Sequence, residues 1–181
     1  MDQLGRTTGG SQRPGCTPPC PRPGRAPPLG ARLRRLVTAQ HAAPLLELAS
    51  ILVGCNNAHL MLEDGIWKVA GDPTEGALLS AGHKAGGSKE AMKGTHPKHH
   101  EIPFDSDRKR RTVIRRMPDG HLRAFINGAP DELLRLCTHI HTDTGVRPMT
   151  EEDRGQIAAQ NTTMAGRALR VLGSTFRDLD S

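Results

Sequence analysis

Arg111-Thr112-Val113-Ile114-Arg115-Arg116-Met117, Pro118-Asp119-Gly120 and, past His121, Leu122-Arg123-Ala124-Phe125-Ile126 form the stretch that decides the fold. Two runs rich in β-branched and aromatic residues flank a Pro-Asp-Gly turn signal, which is the pattern of a β-hairpin. A turn this short reverses the chain, so the two strands pair antiparallel. Working outward, His99 to Phe104 reads as a further strand upstream, and Ala168 to Phe176 as a final strand downstream. Helical patterns occupy the rest. Pro44 opens an apolar helix in which Leu45, Leu48, Ala49 and Leu52 recur at helical spacing, ending near Asn56-Asn57. A second helix runs from Pro73 to about Lys84 and a short one from Pro130 to Cys137. A longer one spans Thr150 to about Gly166, with Thr150 and Asp153 as a capping box. Ile66 to Val69 follows the Asp64-Gly65 turn as a short strand, and Gly82 to Lys98 reads as a Gly/Lys/His-rich loop. Strands with helices packed to one side make the expected class α+β, an antiparallel β-sheet flanked by helices.

That pattern begins near residue 41. Residues 1–30 hold seven of the 14 prolines and six of the 20 glycines, with Met1, Leu4 and Leu29 as their only large aliphatic residues. Such a segment buries too little apolar surface to offset the entropy of ordering, so residues 1–40 are expected to be a disordered Pro/Gly/Arg-rich arm and residues 41–181 the domain. The arm also carries the charge. It has seven arginines against Asp2, leaving 18 of the 25 basic and 18 of the 19 acidic residues for a neutral body. A neutral body lacks the clustered Lys and Arg that neutralise phosphates, so no nucleic acid is expected on the folded domain.

The 181 residues suit one domain of roughly 100 to 200 residues, too few for a multi-domain transporter. The longest apolar stretch, Leu45 to Cys55, is cut by Glu47 and falls short of the ~18 apolar residues of a spanning helix, so no membrane span is expected. Met1 to Thr8 has no basic patch leading into an apolar run, and the expected compartment is the cytoplasm. Cys16 and Cys20 stand at C-x₃-C spacing without partner ligands at a matching interval, which favours free thiols. His96, His99 and His100 cluster as in a loop, and Cys137, His139 and His141 alternate as on a strand. Neither set has an acidic or Cys partner at ligand spacing, so no metal site is expected. There is no Gly-x₄-Gly-Lys-Ser/Thr loop, no Gly-x-Gly-x-x-Gly and no Gly-x-Ser-x-Gly elbow.

Five separated pieces remain: Gly71-Asp72-Pro73-Thr74-Glu75-Gly76-Ala77-Leu78, Pro103-Phe104-Asp105-Ser106-Asp107-Arg108-Lys109, Gly128-Ala129-Pro130-Asp131, Cys137, and Ala168-Leu169-Arg170-Val171-Leu172. In this order they resemble the nucleotide-binding domain of P-type cation-transporting ATPases, closest to the calcium-pump-like branch, over residues from about 43 to 177. Such pumps pass the terminal phosphate of ATP to an aspartate in Asp-Lys-Thr-Gly-Thr, and no aspartate here is followed by Lys-Thr-Gly-Thr. The resemblance does not reach the arm, and a truncated or misread start of the gene would account for both facts.

Each piece also has a local structural reading. Asp72-Pro73-Thr74-Glu75 is a good helix start by itself, with an acidic cap, proline at the first helical position and a glutamate reaching back. The resemblance implies that Glu75 also contacts the adenine end of a nucleotide. Phe104, one of three phenylalanines, stands among polar and turn-forming neighbours; on local sequence a half-buried strand residue is an even alternative. The resemblance implies that it is the platform on which adenine stacks. Lys109 lies in Arg108-Lys109-Arg110-Arg111, which without context is a solvated strand end, and the resemblance sets it beside the nucleotide and its phosphates. Arg170 sits between apolar residues, and alternation would put it opposite Leu169 and Val171; the resemblance implies a grip on the phosphate chain. Gly128 is either a simple turn or a place where backbone approaches the nucleotide. Asn127 departs from the family, most of which carries lysine before Gly-Ala-Pro, and this implies weaker affinity and lower salt dependence, or compensation by Lys109. Ser106 likewise stands where close relatives often carry arginine.

The resemblance therefore implies an ATP-binding domain that presents ATP to an aspartate outside this chain, with magnesium held mainly by the phosphorylation domain. Its expected partners are ATP and the phosphorylation and transmembrane domains of a parent pump, and no catalytic residue is expected in the chain. Two alternatives stand beside it: an interaction or nucleic-acid-binding protein acting through the basic arm, and a non-functional gene fragment.

Overall fold

The computed structural model describes residues 42–179. The expected arm, Cys16 and Cys20 lie outside those residues. The elements, in chain order, are α1 (Ala42–Gly54), β1 (His59–Glu63), β2 (Ile66–Ala70), α2 (Pro73–Lys84), α3 (Lys89–Thr95), β3 (Lys98–Asp105) and β4 (Arg110–Arg116). They continue as β5 (Leu122–Gly128), α4 (Pro130–Leu136), β6 (His139–Thr142), β7 (Gly145–Pro148), α5 (Glu151–Gly166) and β8 (Gly173–Leu179). The class is α+β, as expected. An antiparallel four-stranded sheet of order β3-β4-β5-β8 forms the centre, with two separate hairpins, β1-β2 and β6-β7.

The hairpin that decides the fold pairs Arg110 with Gly128 and runs without a slip to Arg116 and Leu122. Alternation then puts Val113 of β4, Phe125 of β5 and Phe176 of β8 on one face of the sheet. On that face Val113 and Phe125 cluster with Ile51, Val53 and Cys55 of the α1 end, Ala58, Leu79 of α2 and Met92 of α3. Phe125 is 1% exposed and is the largest side chain at the centre of this cluster; burying a side chain of this kind contributes roughly 1.5–3 kcal/mol.

Polar groups inside this layer are tied. Arg115, buried on the same face, donates from Nε to the Gly54 carbonyl (2.9 Å) and from Nη1 to the His96 carbonyl (2.8 Å). It thus closes the C-terminal ends of α1 and α3, whose last carbonyls have no partner within the helix. Burial lowers its pKa from the ordinary arginine value. Arg154 of α5 does the same for α4, donating to the Leu134 and Cys137 carbonyls. The expected capping box is present at α5: Asp153 N–H donates to Thr150 Oγ1 (3.2 Å) and Thr150 N–H to Asp153 Oδ2 (2.9 Å).

Four expectations change. Gly82 to Lys98 is not wholly a loop: Ser88 caps α3, its side chain accepting from Ala91 N–H, and Met92 gives that short helix an apolar anchor. Cys137, His139 and His141 do not share one strand, because Cys137 ends α4 and the strand begins at His139. His99 and His100 lie on β3, where the strand expected over His99 to Phe104 puts them, and not with His96 in a loop. The final strand begins at Gly173, not Ala168: the chain leaves α5 through a turn in which Ala168 has φ +56°, and a left-handed residue interrupts any strand. Arg170 is therefore in a connecting segment, and strand alternation does not apply to it.

Candidate functional site

One end of the four-stranded sheet gathers the expected residues. Moving across it from β3 to β8, the register runs Asp105, Arg110, Gly128, Gly173, and one step inward Arg111, Asn127, Ser174. β3 departs from the regular ladder here. Ile102 pairs with Thr112 and Asp105 with Arg110, so Pro103 and Phe104 together oppose the single residue Arg111. A bulge of this kind bends the strand and re-aims a side chain. Phe104 is 64% exposed, an aromatic ring presented to solvent at the sheet end.

The turn from β3 to β4 is built by Asp105, whose Oδ1 accepts from the Asp107 and Arg108 N–H groups at 2.9 and 2.8 Å. That geometry puts Lys109 at φ +51°, a conformation few non-glycine residues adopt. Its N–H donates to the Asp105 carbonyl and its own carbonyl accepts from Ala129 N–H (3.0 Å), which locks the turn to the start of α4. The Lys109 ammonium is half exposed and lies 3.3 Å from Glu132 Oε1 of α4. Gly128 faces the same turn. A Cβ there would lie 2.5 Å from the Lys109 carbonyl oxygen and 2.6 Å from Arg110 Cβ, so the neighbouring backbone itself demands glycine.

Glu75 sits in the first turn of α2. Asp72 caps the helix, its Oδ1 accepting from the Thr74 and Glu75 N–H groups at 2.8 and 3.1 Å, with Pro73 at the first position. The Glu75 N–H bond first, with those from Thr74 and then the charge of Arg170, holds the Asp72 carboxyl below its ordinary range. Arg170 is exposed in the link between α5 and β8 and bears on the α2 end through this charge. The Glu75 carboxylate is not free to swing. Oε2 accepts from Asn57 N–H (2.8 Å), and Oε1 accepts from Arg111 Nη1. The other arm of Arg111 donates from Nη2 to Glu101, which is also bonded by Lys98 Nζ (2.8 Å) and Asn57 Nδ2 (3.0 Å). The Lys98 bond, with the Arg111 and Lys98 charges and the Asn57 bond behind it, outweighs partial burial and holds the Glu101 carboxyl below its ordinary range.

Asn127 is 7% exposed. Its Nδ2 donates to the Cys55 carbonyl (3.2 Å) and its Oδ1 accepts from Ser174 Oγ (2.7 Å), bridging the end of α1 to β8. Burial pushes the neighbouring Cys55 thiol up to about 11, which makes it an inert core group rather than a nucleophile.

The structure thus brings Phe104, Lys109, Asn127 and Gly128 to one sheet end and joins Glu75 to them through Arg111, while Arg170, exposed in the α5–β8 link, is connected to them through its charge on Asp72. Sequence reading missed Arg111, Glu101, Asn57 and Glu132. Arg111 shares strand parity with Val113, but so does Arg115, and two charges on one face read as solvated; the structure turns that face inward. Which carboxylates would meet Arg111 depended on the fold. An open groove of about 1180 Å³ lies elsewhere, along the far face of the sheet, past Ile102, Ile114, Ala124 and Ile126 to α4 and β6. It holds none of Glu75, Phe104, Lys109 and Asn127.

The sheet end thus combines an exposed ring, a capped-helix carboxylate and a lysine-bearing turn. The chain belongs to the family of P-type ATPase cytoplasmic N domains, whose family model matches residues 44–181. Among individual proteins, it is 33% identical over 143 residues to the calcium-transporting ATPase of Bacillus subtilis, covering 79% of this chain and 16% of that protein. It is 36% identical over 130 residues to calcium-transporting ATPase 1 of Bacillus cereus (72% of this chain, 14% of that protein). With the cation-transporting ATPase pma1 of Synechocystis it shares 37% identity over 132 residues (71% and 14%). The match to these relatives spans only 14–16% of their length. No helix among the described residues is long and apolar enough to cross a membrane.

Proposed function

We propose that residues 41–181 are the ATP-binding domain of a P-type cation-transporting ATPase, which holds ATP for transfer of its terminal phosphate to an aspartate outside this chain. The observation that carries this reading is the exposed Phe104 in the bulge opposite Arg111, the residue whose guanidinium bonds Glu75. Phe104 offers a flat surface for adenine, and stacking on such a ring contributes on the order of 1 to 3 kcal/mol. Glu75 accepts a hydrogen bond from the exocyclic amine of the base. Lys109 faces the phosphates: its pairing with Glu132 is exposed, and an exposed pair of this kind is worth about 0–1 kcal/mol, little enough for a polyphosphate to displace. Arg170 adds a second cation with a planar fork suited to phosphate oxygens. Asn127 and Gly128 shape the floor, Gly128 by permitting close strand approach. Asn127 brings no charge, so affinity is weaker and less salt-dependent than with lysine there, unless Lys109 compensates.

ATP supplies the phosphoryl group, while magnesium is held mainly by a phosphorylation domain beyond this chain. That domain and a transmembrane domain are the partners of the reading, and its place is the cytoplasmic face of a membrane.

The test is a titration of the full chain with ATP followed by two-dimensional NMR, beside a Phe104→Ala control. Shifts clustered around Glu75, Phe104, Gly128 and Arg170 that vanish in the control are the expected result. A well-folded sample without shifts at millimolar ATP would refute it.

A further inference from the structure

We infer that Arg111 is a positioning residue for base recognition: clamped between Glu75 and Glu101, its guanidinium fixes the Glu75 carboxylate as an acceptor for an exocyclic amine, and so selects adenine over keto-bearing purines. This rests on the ATP-binding reading and deepens it.

Three anchors meet at Glu75. Arg111 Nη1 holds Oε1, Asn57 N–H holds Oε2 at 2.8 Å, and the helix start fixes the stem, because the Glu75 carbonyl also accepts from Asn56 Nδ2 at 2.7 Å. A carboxylate has about four lone-pair sites over its two oxygens, so these two bonds leave acceptor capacity on each oxygen. It has no proton to donate. The amine of adenine is thus matched, whereas the keto oxygen of inosine or guanine would meet a second acceptor and leave both unpaired.

Arg111 can impose this orientation because it is itself held from behind. Glu101 takes its second arm and is in turn fixed by Lys98 and Asn57. The fork is planar, so anchoring one arm on Glu101 determines where the other arm points. The same residue is the cross-strand partner of the Pro103-Phe104 bulge. Arg111 therefore ties the orientation of the amine acceptor to the strand that presents the stacking ring, and each stays in register with the other.

The experiment titrates the full chain with ATP and with ITP, whose base carries a keto oxygen where adenine has its amine, by NMR. It compares the wild type with Arg111→Met, Arg111→Lys, Glu101→Gln and Phe104→Ala. In Arg111→Met, ATP affinity is expected to fall about tenfold and ITP affinity by less than about threefold, so that the preference collapses. Arg111→Lys restores part of it, since an ammonium reaches one carboxylate but not both. Glu101→Gln retains Arg111 and a neutral acceptor, and narrows the preference by a few fold; it decides the matter should Arg111→Met fail to fold. Phe104→Ala lowers both nucleotides in parallel. A merely structural role for Arg111 predicts an unchanged ATP-to-ITP ratio in every folded Arg111 or Glu101 variant, and that result would overturn the inference. A wild type that binds ATP without preferring it over ITP overturns this inference alone. A wild type that binds neither overturns the ATP-binding reading and this inference with it.

Discussion

Replacing Asn127 with alanine removes a side chain that bridges the end of α1 to β8. Two hydrogen bonds are lost, Nδ2 to the Cys55 carbonyl and Ser174 Oγ to Oδ1. The two orphaned groups differ. Cys55 is 1% exposed, so its carbonyl acquires no water and carries most of the penalty for an unsatisfied buried group, about 1–3 kcal/mol. Ser174 is half-buried and its hydroxyl can rotate toward solvent, which limits its share to about 1 kcal/mol. The expected total is about 2–4 kcal/mol. Guanidinium unfolding of the full chain, followed by far-ultraviolet circular dichroism, should show a lower midpoint with an unchanged slope, since the surface exposed on unfolding is the same. Ser174→Ala alone should cost about 1 kcal/mol, and the double variant less than the sum, because each single change already breaks the shared bond. An Asn127→Ala protein within about 0.5 kcal/mol of wild type would show that the bridge contributes nothing, and strict additivity in the double variant would show that its Asn127–Ser174 bond contributes nothing.

Phe125→Ala should destabilise the domain by about 3–5 kcal/mol, since a side chain 1% exposed at the centre of the cluster leaves a cavity; thermal melting checks this, and a loss under about 1 kcal/mol argues against this core. Gly128→Ala should cost about 1–3 kcal/mol and shift the Lys109 and Ala129 amide resonances, because the new Cβ meets the Lys109 carbonyl; unmoved resonances would contradict that crowding. The Arg147 side chain, followed by the Thr150 groups, holds the Asp153 carboxyl well below the usual aspartate range. A depressed folded value makes the stabilisation complete above the unfolded aspartate value of about 3.9, and it fades as pH falls through the folded one. The melting difference between wild type and Asp153→Asn should therefore be constant near neutrality and shrink only in strong acid. A difference that shrinks already between about pH 7 and 5 would break the assignment.

Local chemistry made much of this fold legible. The Pro118-Asp119-Gly120 hairpin, the Asp72-Pro73 helix start and the Thr150/Asp153 box are written in residues whose dihedral and hydrogen-bonding preferences act within a few positions, and each stands where its residues demand. β1, β7 and α3 were not legible, because His59–Glu63 and Gly145–Pro148 are short, largely exposed strands without clean alternation, and Lys89–Thr95 has Met92 as its main apolar anchor. The end of α5 misled for the opposite reason. Leu169, Val171 and Leu172 look like a strand, but the left-handed Ala168 delays pairing until Gly173.

For the site, the sequence by itself determined which kinds of groups are present and their order: a carboxylate at a helix start, an aromatic before an Asp-rich turn, a basic run, and a glycine before Ala-Pro. Those follow from short-range rules and from resemblance. Only the tertiary structure decided that Phe104 falls in a bulge opposite Arg111, that Arg111 is shared by Glu75 and Glu101, and that Asn127 binds Cys55 and Ser174. An inward charge must find partners, but periodicity says only that Arg111 shares a face with Val113. Which residues from other elements meet it is set by strand register and helix packing, and these are properties of the whole chain rather than of any window within it.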